Sequence, residues 1–300
     1  MKIQPSTLRT LLCLVLAVTL TLAVTACDGG KDPATSPSSE SGSLITSSKP
    51  IGGSSGGSSS GSGSSSGSDS SGSGDTAAPS ADVQKDMLAK MSAFYQKNDD
   101  TVGWLNVPGT TIDEVVVQAP DNDYYLRRNN MKQSDFNGCY YADYRTNLGA
   151  RKDLSKNVVI YGHSMDDNPD GARFSQLKKY LDIEYCKKNP YLYFSTPEAD
   201  LTWQIFAVYY TDINFDYIDP NPDTAKFTNM ISEMKQRSQF VFDVDVSASD
   251  TILTLSTCTY KETTNRSNYR YVVQAKLLPA GASLTTPVKV EVNPSPKSPF

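Results

Sequence analysis

The chain has 300 residues, a formal net charge of −5, 38% hydrophobic residues, five cysteines and a single histidine. The acidic balance argues against a nucleic-acid partner, which calls for a basic stripe, and one histidine among scattered cysteines does not supply a zinc ligand set. With one imidazole in the chain, His163 is the one candidate histidine for proton transfer near neutral pH.

At the N-terminus, Lys2 and Arg9 are followed by an apolar core from Leu11 to Leu22, the pattern of an export signal. It runs into Val24-Thr-Ala-Cys27, which resembles the lipobox of bacterial lipoproteins and so implies cleavage before Cys27 and a lipid on its thiol. An uncleaved signal anchor is the other reading, because residues 10–27 nearly reach the ~20 apolar residues of a spanning helix. Both readings predict a protein tethered through residues 1–27 at the extracytoplasmic face of the membrane. Loss of Lys2 and Arg9 with the signal leaves a net charge of about −7.

Residues 28–80 are dominated by serine and glycine and hold almost nothing that could fill a core, so they are predicted to be a flexible linker. A random coil of that length spans roughly 40 Å. Residues 81–283 have the length of one domain. The tail, 284–300, carries four prolines and is expected to be disordered.

Within the domain a helix is predicted over 81–97, where Val83, Met87, Met91, Phe94 and Tyr95 recur at helical spacing. Trp104 to Asp113 and Glu114 to Gln118 read as two strands around a Pro-Gly turn. Further strands are expected near 138–142, 157–162, 190–195, 201–210, 251–258 and 269–278. A helix near 172–187 would carry Phe174, Leu177, Tyr180 and Leu181 on one face, and another near 223–237 would carry Phe227, Met230, Ile231 and Met234. Many short strands, few helices and no regular βα alternation predict a mainly β fold, a closed or nearly closed barrel.

Cys13 lies in the signal and Cys27 is the lipid candidate, leaving Cys139, Cys186 and Cys258 for the domain. An odd count implies at least one free thiol. A Cys139–Cys186 bridge and two separate buried thiols both fit the spacing. Alternation over 251–258 puts Ile252, Thr254, Ser256 and Cys258 on one strand face and Leu253, Leu255 and Thr257 on the other, so Cys258 ends a strand. His163 ends its own strand after Gly162, and Arg270 opens the strand that follows Cys258. A free thiol, with a pKa of about 8.5, is only partly ionised at neutral pH, and a nearby imidazolium favours the thiolate. The acidic turn Asp166 to Asp170 reads as a solvated loop rather than a calcium site.

Val158-Val-Ile-Tyr-Gly-His163, Thr254-Leu-Ser-Thr-Cys258 and Arg270-Tyr-Val-Val-Gln-Ala-Lys276 together resemble, in order and context, the signature segments of sortases. The helical insertion before the cysteine strand, Trp104 to Thr110 and Tyr140 to Arg145 are similar to class B. The resemblance implies a closed eight-stranded β-barrel with an N-terminal helix and a helix inserted before the cysteine strand. It implies a cysteine transpeptidase without metal or organic cofactor, with Cys258 as nucleophile, His163 as acid and base, and Arg270 holding substrate or oxyanion. Ser256, Thr257, Tyr217 and Ile218 would bind the substrate. The implied partners are surface proteins with an Asn-Pro-x-Thr-Asn-like or Leu-Pro-x-Thr-Gly-like sorting signal and a peptidoglycan precursor amine. The alternative from another class is a surface lipoprotein that binds peptides or wall components in a sortase-like groove without turning them over.

Overall fold

Helix α1 (Ala81–Tyr95) turns Met87 and Met91 inward and sets Phe94 edge-on to Trp104, 5.8 Å between ring centres. Tyr95, expected on the same face, is 52% exposed, because the chain turns off the helix at once, with Lys97 N bonded to Phe94 O at 2.8 Å. The computed structural model describes residues 81–261, 268–284 and 288–300, with the side chains of 81–84, Val83 among them, left out. The export signal, Cys27 and the Ser/Gly tract therefore lie outside the described residues.

Strands β1 (Thr101–Asn106), β2 (Asp113–Val117), β3 (Tyr140–Ala142) and β4 (Asn157–Tyr161) come first. After helix α2 (Ile183–Lys188) come β5 (Tyr191–Ser195) and β6 (Thr202–Asp212), followed by helix α3 (Thr224–Arg237) and β7 (Phe240–Phe242). The last strands are β8 (Ile252–Cys258), β9 (Tyr269–Leu277) and β10 (Val290–Val292). Eight of them close the expected barrel in the order β1-β2-β3-β4-β8-β9-β6-β5. The turn between β1 and β2 is the predicted Pro-Gly one, with Gly109 at φ +77°, where glycine carries no Cβ penalty.

The barrel is filled by Leu105, Val158, Ile160, Leu192, Phe194, Trp203, Ile205, Leu253, Leu255 and Val273 among others, all fully buried. Strand β8 lies between β4 and β9, and every residue from Ile252 to Thr257 is buried, so neither of its predicted faces meets solvent. Only Cys258, at the barrel mouth, is half-buried.

The single helix expected over 172–187 is two elements. A 3-10 helix spans Phe174–Leu181, and then Asp182 is extended (φ −97°, ψ 122°), its carboxylate accepting from Glu184 N at 2.9 Å to start α2. A 3-10 helix stacks side chains at every third residue. Phe174, Leu177 and Tyr180 are therefore fully buried in one line, while Leu181, expected on that face, is 38% exposed. Helix α3 matches its prediction: Asp223 caps it by accepting from Lys226 N at 2.8 Å, and Phe227, Met230, Ile231 and Met234 are buried on the β6 side.

The expectation of disorder after 284 fails for residues 288–300. Strand β10 pairs antiparallel with β7, Val288 and Val290 are buried, and Phe300 packs on Tyr269 and Tyr210 at 4.9 and 5.6 Å. Apolar residues spaced by two in Val288-Lys-Val290 supplied a strand signal that the prolines masked.

Candidate active site

Strand register brings the three sequence candidates together. In the antiparallel pair β8–β9, Cys258 lies directly opposite Arg270. In the parallel pair β4–β8, Tyr161 is the partner of Ser256, so two further residues carry His163 to the level of Cys258. Gly162 N donates to Ser256 O at 3.4 Å and Thr257 Oγ1 donates to Gly162 O at 2.7 Å, which extends the pairing past the end of β4. The missing side chain at 162 is required by packing. A Cβ there would come within 2.7 Å of the Phe174 ring and 2.9 Å of Tyr140. Phe174 N then donates to His163 O at 2.9 Å.

These residues open onto a cleft of about 490 Å³ at one end of the barrel. All seven sequence candidates in the domain line it: Cys258, His163, Arg270, Ser256, Thr257, Tyr217 and Ile218. Tyr217 is buried and its hydroxyl shares a 2.8 Å hydrogen bond with Ser256 Oγ. Thr257 spends its hydroxyl on Gly162, which makes it a strut of the cleft wall.

Burial pushes the His163 pKa below its ordinary 6.5, and the Arg127 and Arg173 guanidiniums push the same way, against a hydrogen bond to Leu126 O that favours the charged ring. That bond runs from Nε2 at 2.7 Å. A carbonyl only accepts, so the partner assigns the proton of the neutral ring to Nε2 and leaves Nδ1 as its base. Arg127 Nη1, 3.5 Å from the same Nε2, meets a nitrogen already committed as a donor. It donates instead to Phe136 O at 2.6 Å.

Cys139 and Cys186 are free and buried, so no bridge joins them, and burial pushes both thiols up to about 12. Cys258 is the one described thiol at a cleft. Among the described residues no group of three or more His, Cys, Asp or Glu could hold a metal ion.

Several site residues escaped sequence reasoning. Asp143 is buried and clamps both cleft walls. Its carboxylate takes two bonds from the Arg145 side chain at 2.9 and 2.8 Å, one from Tyr161 Oη at 2.8 Å and one from Asn122 Nδ2 at 3.1 Å. Arg145 Nη2 reaches on to Ile218 O at 3.2 Å. Asn122, Asp123 and Leu126 form one wall, and Ile213, Phe215 and Asp216 extend the other. Asp143 and Arg145 lie within Tyr140 to Arg145, one of the strings similar to class B sortases. The acidic turn is more than a solvated loop, since Asp167 accepts from Thr259 Oγ1 at 2.9 Å and Tyr260 N at 2.8 Å, the residues just after Cys258.

A sortase domain family model matches residues 105–278. Sortase B of Listeria monocytogenes is 35% identical over 202 residues, covering 67% of this chain and 79% of that protein. Sortase B of Staphylococcus aureus is 30% identical over 198 residues, covering 65% and 77%. Among solved structures, a Staphylococcus aureus sortase B-substrate complex superimposes with a TM-score of 0.58 at 28% identity, over 65% of this chain and 87% of the other.

Proposed function

This chain belongs to the sortase family, as a cysteine transpeptidase of the sortase B type, and from that premise we propose that it cuts a C-terminal sorting motif after its threonine and transfers the protein to an amine of cell-wall peptidoglycan. The observation that carries the reading is the register that levels His163, Cys258 and Arg270 at the mouth of one cleft.

In this reading His163 takes the Cys258 proton on Nδ1 as Sγ attacks the carbonyl carbon after the threonine. Arg270, whose fixed charge keeps it out of proton transfer, meets the oxyanion. The C–N bond then breaks, the departing amine leaves with the proton from His163, and a thioester remains. The acceptor amine gives its proton to His163, forms the new C–N bond and releases the Cys258 thiolate, which recovers the proton from the imidazolium. Tyr217, Ile218, Ser256 and Thr257 bind the motif along the cleft. Asn-Pro-x-Thr-Asn-like and Leu-Pro-x-Thr-Gly-like signals are both candidates, and a structural relative solved with its substrate supports a peptide partner. The same reading takes residues 1–27, through Cys27 or an uncleaved helix, as the tether that holds the enzyme at the extracytoplasmic face of the membrane.

Mass spectrometry of the protein with peptides of both motif types and an amine acceptor tests this. Cleavage after threonine with an amine-linked product, lost in Cys258→Ala, is expected. Peptide binding without any product or acyl-enzyme would sink the proposal.

A further inference from the structure

Lys178 has a setting that the candidate site does not yet use. Its side chain, on the 3-10 helix Phe174–Leu181, is 1% exposed, whereas the other ion-paired lysines among the described residues range from 21% to 84% exposed. A buried ammonium is costly unless its donors are met. Here Nζ reaches three partners on two segments. Nζ donates to the backbone carbonyl of Cys258 at 3.0 Å and to Ser164 Oγ at 2.5 Å, and pairs with Asp167 Oδ1 at 3.2 Å. Burial lowers the Lys178 pKa and Asp167 opposes that shift.

The choice of partners is specific. Cys258 is the last residue of the β8–β9 ladder, so beyond it the sheet no longer holds the chain. Ser164 is the residue after His163, and its own carbonyl accepts from Tyr260 Oη at 3.1 Å. Asp167 grips Thr259 and Tyr260. One cation thus joins the segment carrying the thiol to the segment carrying the imidazole, where the strands themselves run out. A lysine serving the core alone needs acceptors, but not these two.

We propose that Lys178 is a positioning residue for the transfer reaction, its ammonium tying the Cys258 carbonyl to the Ser164 hydroxyl and so fixing the thiol against the imidazole. This rests on the roles assigned to Cys258 and His163 above.

The test uses the full chain with Lys178→Met combined with Asp167→Asn, so that no unpaired buried charge is left, and Ser164→Ala as a milder second variant that keeps the cation. Melting curves establish folding. Two readouts follow: steady-state kinetics with Asn-Pro-x-Thr-Asn and Leu-Pro-x-Thr-Gly peptides and a triglycine acceptor, and the rate of Cys258 alkylation by iodoacetamide. The double variant is expected to lose on the order of 10- to 100-fold in kcat, the scale of a displacement near 1 Å, with KM within about twofold and alkylation changed severalfold. Ser164→Ala is expected to lose kcat in the same sense and to a smaller extent. A folded double variant with parental kcat and alkylation rate overturns the proposal, as does an unchanged Ser164→Ala if the double variant does not fold. A Cys258→Ala enzyme that stays active overturns the underlying assignment of the nucleophile, and this proposal with it. An inactive Cys258→Ala beside a fully active double variant overturns the positioning role alone.

Discussion

His163 Nε2 sits 2.7 Å from the carbonyl oxygen of Leu126, so the imidazole of the candidate site is oriented by the wall of the cleft it lines. A backbone carbonyl fixes the tautomer here, where other histidine sites often use a carboxylate. No negative charge is added beside the ring, and burial is left free to keep it neutral.

Because this is the chain's only histidine, its ring proton signals in an NMR titration are unambiguous. The midpoint is expected below 6.5 in the folded protein and to move up in Arg127→Gln, which removes one of the charges pushing it down. The sign for stability follows from the same shift. The folded state binds fewer protons at His163 than the unfolded chain between the depressed value and 6.5, so stability is whole above 6.5 and falls as pH drops through that window. A midpoint at or above 6.5, or no response to Arg127→Gln, contradicts this account.

Thiol reagents should discriminate sharply among the domain cysteines. Cys139 and Cys186 are buried with thiols raised to about 12, so brief native alkylation near neutral pH should mark Cys258 and spare both. Peptide mapping before and after denaturation reads the result. Native labelling of Cys139 or Cys186 at a rate comparable to Cys258 would be inconsistent with their burial.

Asp143→Ala should loosen the cleft walls. Burial pushes this carboxyl up, but bonds from Arg145, Tyr161 and Asn122 outweigh burial and hold it below its ordinary 3.8. Removing one partner of a buried pair costs about 3 to 5 kcal/mol, and since Arg145 is 39% exposed we expect about 2 to 3 kcal/mol. Its stabilising contribution is whole above pH 3.8 and lost as pH falls through the lower folded value. Chemical denaturation measures the loss, and KM for the motif peptide should rise more than kcat falls.

Gly162→Ala places a methyl against Phe174 and Tyr140, both part of the close-packed core. Overpacking of this kind costs about 1 to 3 kcal/mol. Because the strained residue immediately precedes His163, activity should fall further than stability explains. A variant with parental melting and parental kcat would show that the ring tolerates the shift.

The barrel strands were legible because burial in a closed sheet selects β-branched and aromatic runs such as Val158 to Tyr161 and Ile252 to Leu255. Cys258, His163 and Arg270 were legible because they stand at strand ends in recognisable strings. The 3-10 helix was not, since Phe174, Leu177 and Tyr180 satisfy a 3.6-residue period as readily as a period of three, Leu181 fits the 3.6-residue period alone, and the extended backbone at Asp182 that ends the segment has no local signal. Lys178 carries no local sign of burial, since its neighbour Lys179 bonds Asp170, which is 78% exposed. Asp143 was hidden for a related reason. Nothing local says that a charged residue beside a tyrosine pair will be fully buried, because its partners Asn122, Tyr161 and Arg145 converge only in three dimensions.

The parallel pairing of β4 with β8 sets when the His163 imidazole and the Cys258 thiol meet as the chain folds. Gly162 and Thr257, whose hydrogen bond fixes the level of imidazole and sulfur, are 95 residues apart in the chain. Contacts of such sequence separation are slow to form, because the intervening loop must be closed before they stabilise anything. Until β8 pairs with β4, across the β5, β6 and α3 segments that separate them in the chain, the Cys258 thiol and the His163 imidazole are held apart. Pairing of β4 with β8 is therefore the folding step that brings the imidazole and the sulfur to one level.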